Sequence, residues 1–226
     1  MFLCRQLLFT YVFSRRLKRK DKSGILMAVI VLLIVAVSIG FDIVINNNEL
    51  RNAVSYSSLW EIVSTIFFCV MNMVVMTLLV NYFYKASYLE AFYAVTLGYL
   101  AEHSEYALEA VVMSFLPDVQ RTLGFQGIEW IFLFVYAFFI DRIFAGRIIR
   151  DRHYRTQTGE TIFLLFVSGL IVMFLSAIAT QDGYVETHGI YAFIFCVFAL
   201  ATQIERQRKD LQTPLTEQLQ YLFSPG

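Results

Sequence analysis

Glu90–Phe115, EAFYAVTLGYLAEHSEYALEAVVMSF, is long enough to cross a bilayer, yet its second half carries Glu102, His103, Glu105 and Glu109. Ionisable side chains at that depth cost several kcal/mol unless they are neutral, paired or wet, so they face the inside of a bundle. At about 100° per residue, Ala91, Ala94, Gly98, Glu102, Glu105 and Glu109 share one face of a helix, and Tyr93, Leu97, Leu100, Ala107, Val111 and Phe115 share the opposite one. The pattern predicts a lipid-facing side and a small-then-acidic side, with the rest of the chain packed around the second.

The chain of 226 residues is 58% hydrophobic and 16% charged, with a mean hydropathy of +0.61. Soluble domains lie nearer half apolar and a quarter charged, so the composition is that of a membrane protein. The expected fold is all-α: a polytopic bundle of six transmembrane helices with short loops and a cytoplasmic C-terminal helix. The spans are Gly24–Ile45, Trp60–Tyr84, Tyr88–Leu116, Ile128–Phe144, Thr161–Ala179 and His188–Gln203. Their apolar runs are continuous and do not alternate with period two, which excludes barrel strands. Three regions follow: a short apolar segment plus basic cluster (1–23), the bundle (24–203), and a cytoplasmic helical stub (204–226).

Met1–Ser14 is apolar but shorter than the roughly 20 residues a span needs, and is set outside the bundle. Arg15, Arg16, Lys18, Arg19, Lys20 and Lys22 follow it. A basic block beside a membrane segment reads first as a cytoplasmic topology signal and second as an anionic-lipid contact. Sixteen of the 18 Lys and Arg residues fall on one side, Arg147, Arg150 and Arg152 among them, and only Arg51 and Arg121 on the other. That bias places both termini in the cytoplasm of a cell (plasma) membrane protein. The outer loops, Asn46–Ser58, Pro117–Gly127 and Thr180–Thr187, are too short to fold alone, so any outside ligand is read by the bundle.

No Lys or Arg lies in the middle of any span as drawn, so Glu102, Glu105 and Glu109 lack an obvious cation. Tyr99, Tyr106, Asn72 and Thr77 are their candidate hydrogen-bond partners. The carboxyls either tie helices together or line a polar cavity for a ligand or proton; the candidate binding set is Glu102, Glu105, Glu109, Tyr99, Tyr106 and His103. His103 has no second histidine at helical spacing, which argues against zinc and for a helix–helix hydrogen bond. Gly98, Ala91 and Ala94 are helix-packing positions. Cys4, Cys69 and Cys196 are isolated and read as small buried hydrophobes. No metal site, cofactor, catalytic module or nucleic-acid surface is expected.

Gly98-Tyr99-Leu100-Ala101-Glu102-His103, followed by Tyr106-Ala107, resembles the GY..QH.A pattern in the membrane sensor region of bacterial sensor histidine kinases with a GHKL-type ATPase domain, the Agr-like receptors included. Glu102 stands where that pattern has Gln. Arg15-Arg16 resembles the family's basic cluster, and Gln203-Ile204-Glu205-Arg206-Gln207-Arg208-Lys209 its exit toward a signalling coiled coil. The resemblance implies a homodimeric receptor for an extracytoplasmic peptide or small molecule in two-component signal transduction. Its histidine kinase module is then missing or separately encoded, with a cytoplasmic response partner. The alternative from the residues alone is a small transporter or proton-coupled permease using the acidic helix.

Overall fold

The computed structural model describes residues 2–20, 58–114, 123–145 and 192–205, with isolated positions 29, 32, 33, 36, 159, 163, 164 and 167. Their secondary structure is helical apart from one antiparallel backbone bridge, between Arg19 and Tyr84. The helices are α1 (Phe2–Ser14), α2 (Ser58–Phe83), α3 (Tyr88–Ser114) and α4 (Leu123–Ile140), the last running into a π-helical turn, Asp141–Ala145. Residues 192–205 are also helical. Most of the expected spans Gly24–Ile45 and Thr161–Ala179 lie outside the described residues, as do Arg147, Arg150, Arg152 and the tail beyond Glu205. Among the described residues no helix is long and apolar enough to cross a membrane.

The centre of the molecule is α3, and its principal neighbour is α1. Setting Phe2–Ser14 outside the bundle is corrected: Phe9 and Phe13 are fully buried, and they join Tyr93, Leu97 and Leu100 in one core. The segment is too short to span, but a helix that docks on others needs only a buried face. Gly98 makes the docking possible. A Cβ placed there would lie 2.8 Å from the Thr10 nitrogen and 2.9 Å from its Cα, so the α1 backbone passes directly over the glycine. Small residues let helix backbones approach this closely.

The lipid-facing side expected for α3 is also corrected. Tyr93, Leu97, Leu100 and Ala107 are as buried as Ala91, Ala94 and Gly98's neighbours, because other helices pack on both of these faces. Exposed apolar surface sits on the outer helices instead. On α4, Leu133, Tyr136, Ala137 and Ile140 point inward, while Ile131, Phe134, Val135 and Phe138 point outward. On α2, Met73, Met76, Val80 and Phe83 are buried, while Val70, Val74, Val75 and Leu78 are exposed. Within 192–205, Ala192, Cys196, Ala199 and Leu200 face in, and Ile194, Phe195 and Phe198 face out.

Helix α4 begins at Leu123, inside the loop expected over Pro117–Gly127. The turn from α2 to α3 is set by Ser87-Tyr88-Leu89-Glu90. The Ser87 hydroxyl accepts from the Glu90 amide at 3.2 Å, and the Glu90 carboxylate accepts from the Ser87 amide at 2.7 Å. This reciprocal pair is a capping box, which satisfies two amides that have no partner within the helix. Replacing Ser87 by alanine is expected to cost about 1 kcal/mol, read as a lowered thermal midpoint. An unchanged midpoint would show that the box adds nothing to α3.

Candidate functional site

Arg5 stands three residues into α1, a largely apolar helix, and is buried with its guanidinium against α3. Its Nη1 donates to Glu105 Oε2 at 3.0 Å and to Glu109 Oε2. This corrects the reading that no cation neutralises the acidic face. Because α1 and α3 are antiparallel, the amino-terminal end of α1 lies beside the half of α3 that carries the carboxylates. The charge is near fully desolvated: Glu105 is 0% exposed. Glu105 and Glu109 stand four residues apart, one turn, so one guanidinium reaches both. Arg5 Nε and Glu105 Oε1 have no hydrogen-bond partner among the described residues.

Glu102 lies one turn below, and its Oε2 is 2.7 Å from His103 Nδ1. The same ring nitrogen lies 3.0 Å from the Tyr99 carbonyl oxygen. A carbonyl only accepts, so this contact within the helix is a hydrogen bond in the tautomer that carries its hydrogen on Nδ1. The His103 ring also folds back over Tyr99, with ring centroids 4.0 Å apart. Tyr106 is 55% exposed and is thus at the rim, not inside the cluster, although the Arg5 guanidinium lies 5.9 Å from its ring centre. Thr77 hydrogen-bonds to the Met73 carbonyl of its own helix. Asn72 donates to Gln6 on α1, one residue from Arg5.

Glu102, Glu105, Glu109, Tyr99 and His103 are therefore brought together in the interior, with Arg5 and Gln6 added by α1. Two further buried bonds reach outward from α3. Ser104 and Tyr136 hydroxyls are 2.8 Å apart, tying α3 to α4. The Tyr93 hydroxyl donates to Gln203 Oε1 at 2.9 Å, tying α3 to the helical residues 192–205. The sequence signal for Arg5 and Gln6 was their place in an apolar run, where a charge or amide marks an interior contact. Tyr136 and Gln203 gave none, since an aromatic or an amide at a helix end is ordinary.

At the other end of the bundle, Arg15 and Arg16 hold Asp141 of the π-helical turn, at 2.5 Å and 3.0 Å. Lys18 and Arg19 are exposed beside them. Chemically, the interior cluster sets one guanidinium and one imidazole against three carboxyls. It can hold protons or a cation, and it can break and reform ion pairs if α1 and α3 move. Among the described residues no group of His, Cys, Asp and Glu has the makings of a metal site. No protein family, curated protein or solved structure matches the chain.

Proposed function

We propose that the chain is an integral membrane sensor module in which the buried Arg5–Glu105–Glu109 and Glu102–His103 cluster is the switch. The observation that carries this reading is a charge cluster sealed inside helices whose outer faces are apolar. Ile131, Phe134, Val135 and Phe138 on α4, with Val70, Val74, Val75 and Leu78 on α2, make exposed stripes larger than a water-facing surface normally keeps. A lipid bilayer covers such stripes without cost. The six-span topology, the cell-membrane location and a homodimer joined through residues 204–222 belong to this proposal. Helix α1 packs on α3 with its amino-terminal half at the acidic end of α3, away from the basic cluster.

In this reading an extracytoplasmic peptide or small molecule shifts the cluster, and the Tyr93–Gln203 bond carries the shift to the last helix and to a cytoplasmic kinase or response partner. Glu102 is the residue to test, because it touches His103 and leaves the Arg5 pair intact. With cysteine at the exposed position Glu205, Glu102→Gln is expected to change disulfide formation between copies in native membranes at least two-fold. Identical crosslinking in both proteins would overturn the switch. Release of the protein by alkaline carbonate would overturn the membrane assignment. The Glu102–His103 pair also favours a second reading, proton-coupled transport, because an imidazole beside a carboxyl can relay a proton. Proton uptake into liposomes that is lost in Glu102→Gln would decide for it.

A further inference from the structure

We propose that the cue is an organic cation carrying a guanidinium or primary ammonium group, held by Glu105, Glu109 and Glu129 in competition with Arg5. This rests on the sensor reading above and names the chemistry that its cluster recognises. The cluster already contains one such group, because the Arg5 guanidinium sits against Glu105 and Glu109 as a tethered occupant. Glu129, half-buried near the start of α4, adds a further carboxylate, close enough to act electrostatically on both Glu109 and Arg5. Glu102 acts on Arg5 in the same way. Among the described residues one guanidinium is thus shared by carboxylates from two helices.

Two observations separate this place from a simple run of acids. Glu105 Oε1 is buried and has no hydrogen-bond partner among the described residues, although the other oxygen of the same carboxyl meets Arg5. A buried carboxylate oxygen without a donor is costly, and an N–H of a second cation supplies the donor it lacks. Tyr106 is the other: it is exposed at the rim, with the Arg5 guanidinium 5.9 Å from its ring centre. A ring face beside carboxylates suits guanidinium and ammonium groups, and its exposure gives them a way in. A bare metal ion fits less well, since among the described residues no group of His, Cys, Asp and Glu could hold one. The outer loops as drawn carry Glu49, Asp118, Asp182 and Glu186 against Arg51 and Arg121, which draws cations to this end. A bound cation takes Glu105 or Glu109 from Arg5, so α1 is released from α3 and the sensor changes state.

The test uses the full chain in lipid nanodiscs, with agmatine, which carries both groups, as the probe and sodium chloride at equal ionic strength as the control. Titration calorimetry is expected to show saturable binding of agmatine and none of sodium. Glu129→Gln is expected to weaken that binding by about five-fold, the size of a half-exposed ion pair, with the thermal midpoint unchanged. Arg5→Gln removes the competitor and is expected to tighten it; where that variant does not fold, Glu129→Gln carries the test. Absence of saturable binding, or equal binding in wild type and Glu129→Gln, overturns the site. Displacement of agmatine by a short arginine-bearing peptide amide at lower concentration than by free putrescine assigns the cation to a peptide. The reverse order assigns it to a free amine, and either order supports the site. Crosslinking between copies carrying Glu205→Cys separates the two failures. A response to Glu102→Gln without a response to agmatine sinks this proposal alone, whereas no response to either sinks the switch.

Discussion

Replacing Arg5 by glutamine is expected to destabilise the protein by about 3–5 kcal/mol, the largest loss of any single change on α1. The guanidinium is the described cation that meets both Glu105 and Glu109, and both carboxylates are buried. Removing one partner of a buried pair leaves an uncompensated charge, and that cost exceeds the net worth of the pair itself. Glutamine is too short and uncharged to replace either bond. Reversible unfolding in mixed micelles measures the loss. A change below about 1 kcal/mol, the range of exposed ion pairs, would mean that the guanidinium is hydrated and the cluster open.

Valine at Gly98 is expected to have the second largest effect, by another mechanism. Its Cβ would meet the Thr10 backbone at under 3 Å, and backbone, unlike a side-chain tip, has no rotamer to yield. Helix α1 must then lift away from α3, which strips Phe9 and Phe13 of their contacts and draws Arg5 from its carboxylates. Overpacking alone costs about 1–3 kcal/mol. Since tenfold corresponds to about 1.4 kcal/mol, amide exchange in α1 should accelerate by roughly 10- to 100-fold, more than in α4. Protection of α1 that matches wild type would show that the close crossing is not needed. Alanine at the same position is expected to act in the same direction and less strongly.

The helical class and the acidic helix were legible in the sequence, because a long apolar run bearing regularly spaced carboxyls has few other solutions. Gly98 was legible as a close-packing position for the same reason. The partner of those carboxyls was not. Arg5 was counted with the basic cluster at Arg15–Lys22 and its helix dismissed on length, although a guanidinium among Leu and Phe already marks an interior contact. The covering of Tyr93, Leu97 and Leu100 was hidden because an apolar residue looks the same whether it meets lipid or another helix. Pairings such as Tyr93 with Gln203, or Arg19 with Tyr84, depend on which elements become neighbours, and helical periodicity carries no such information. The capping box at Ser87–Glu90 was readable from local spacing.

Arg5 and the two glutamates belong to one interaction only if their substitutions fail to add. The deciding measurement is the unfolding free energy of Arg5→Gln, of Glu105→Gln with Glu109→Gln, and of all three together. If the buried pair joins α1 to α3, the triple variant regains most of the stability lost in Arg5→Gln, because neutral amides no longer strand a charge. Losses that sum to within about 0.5 kcal/mol would contradict the pairing, and with it the place of α1 in the bundle.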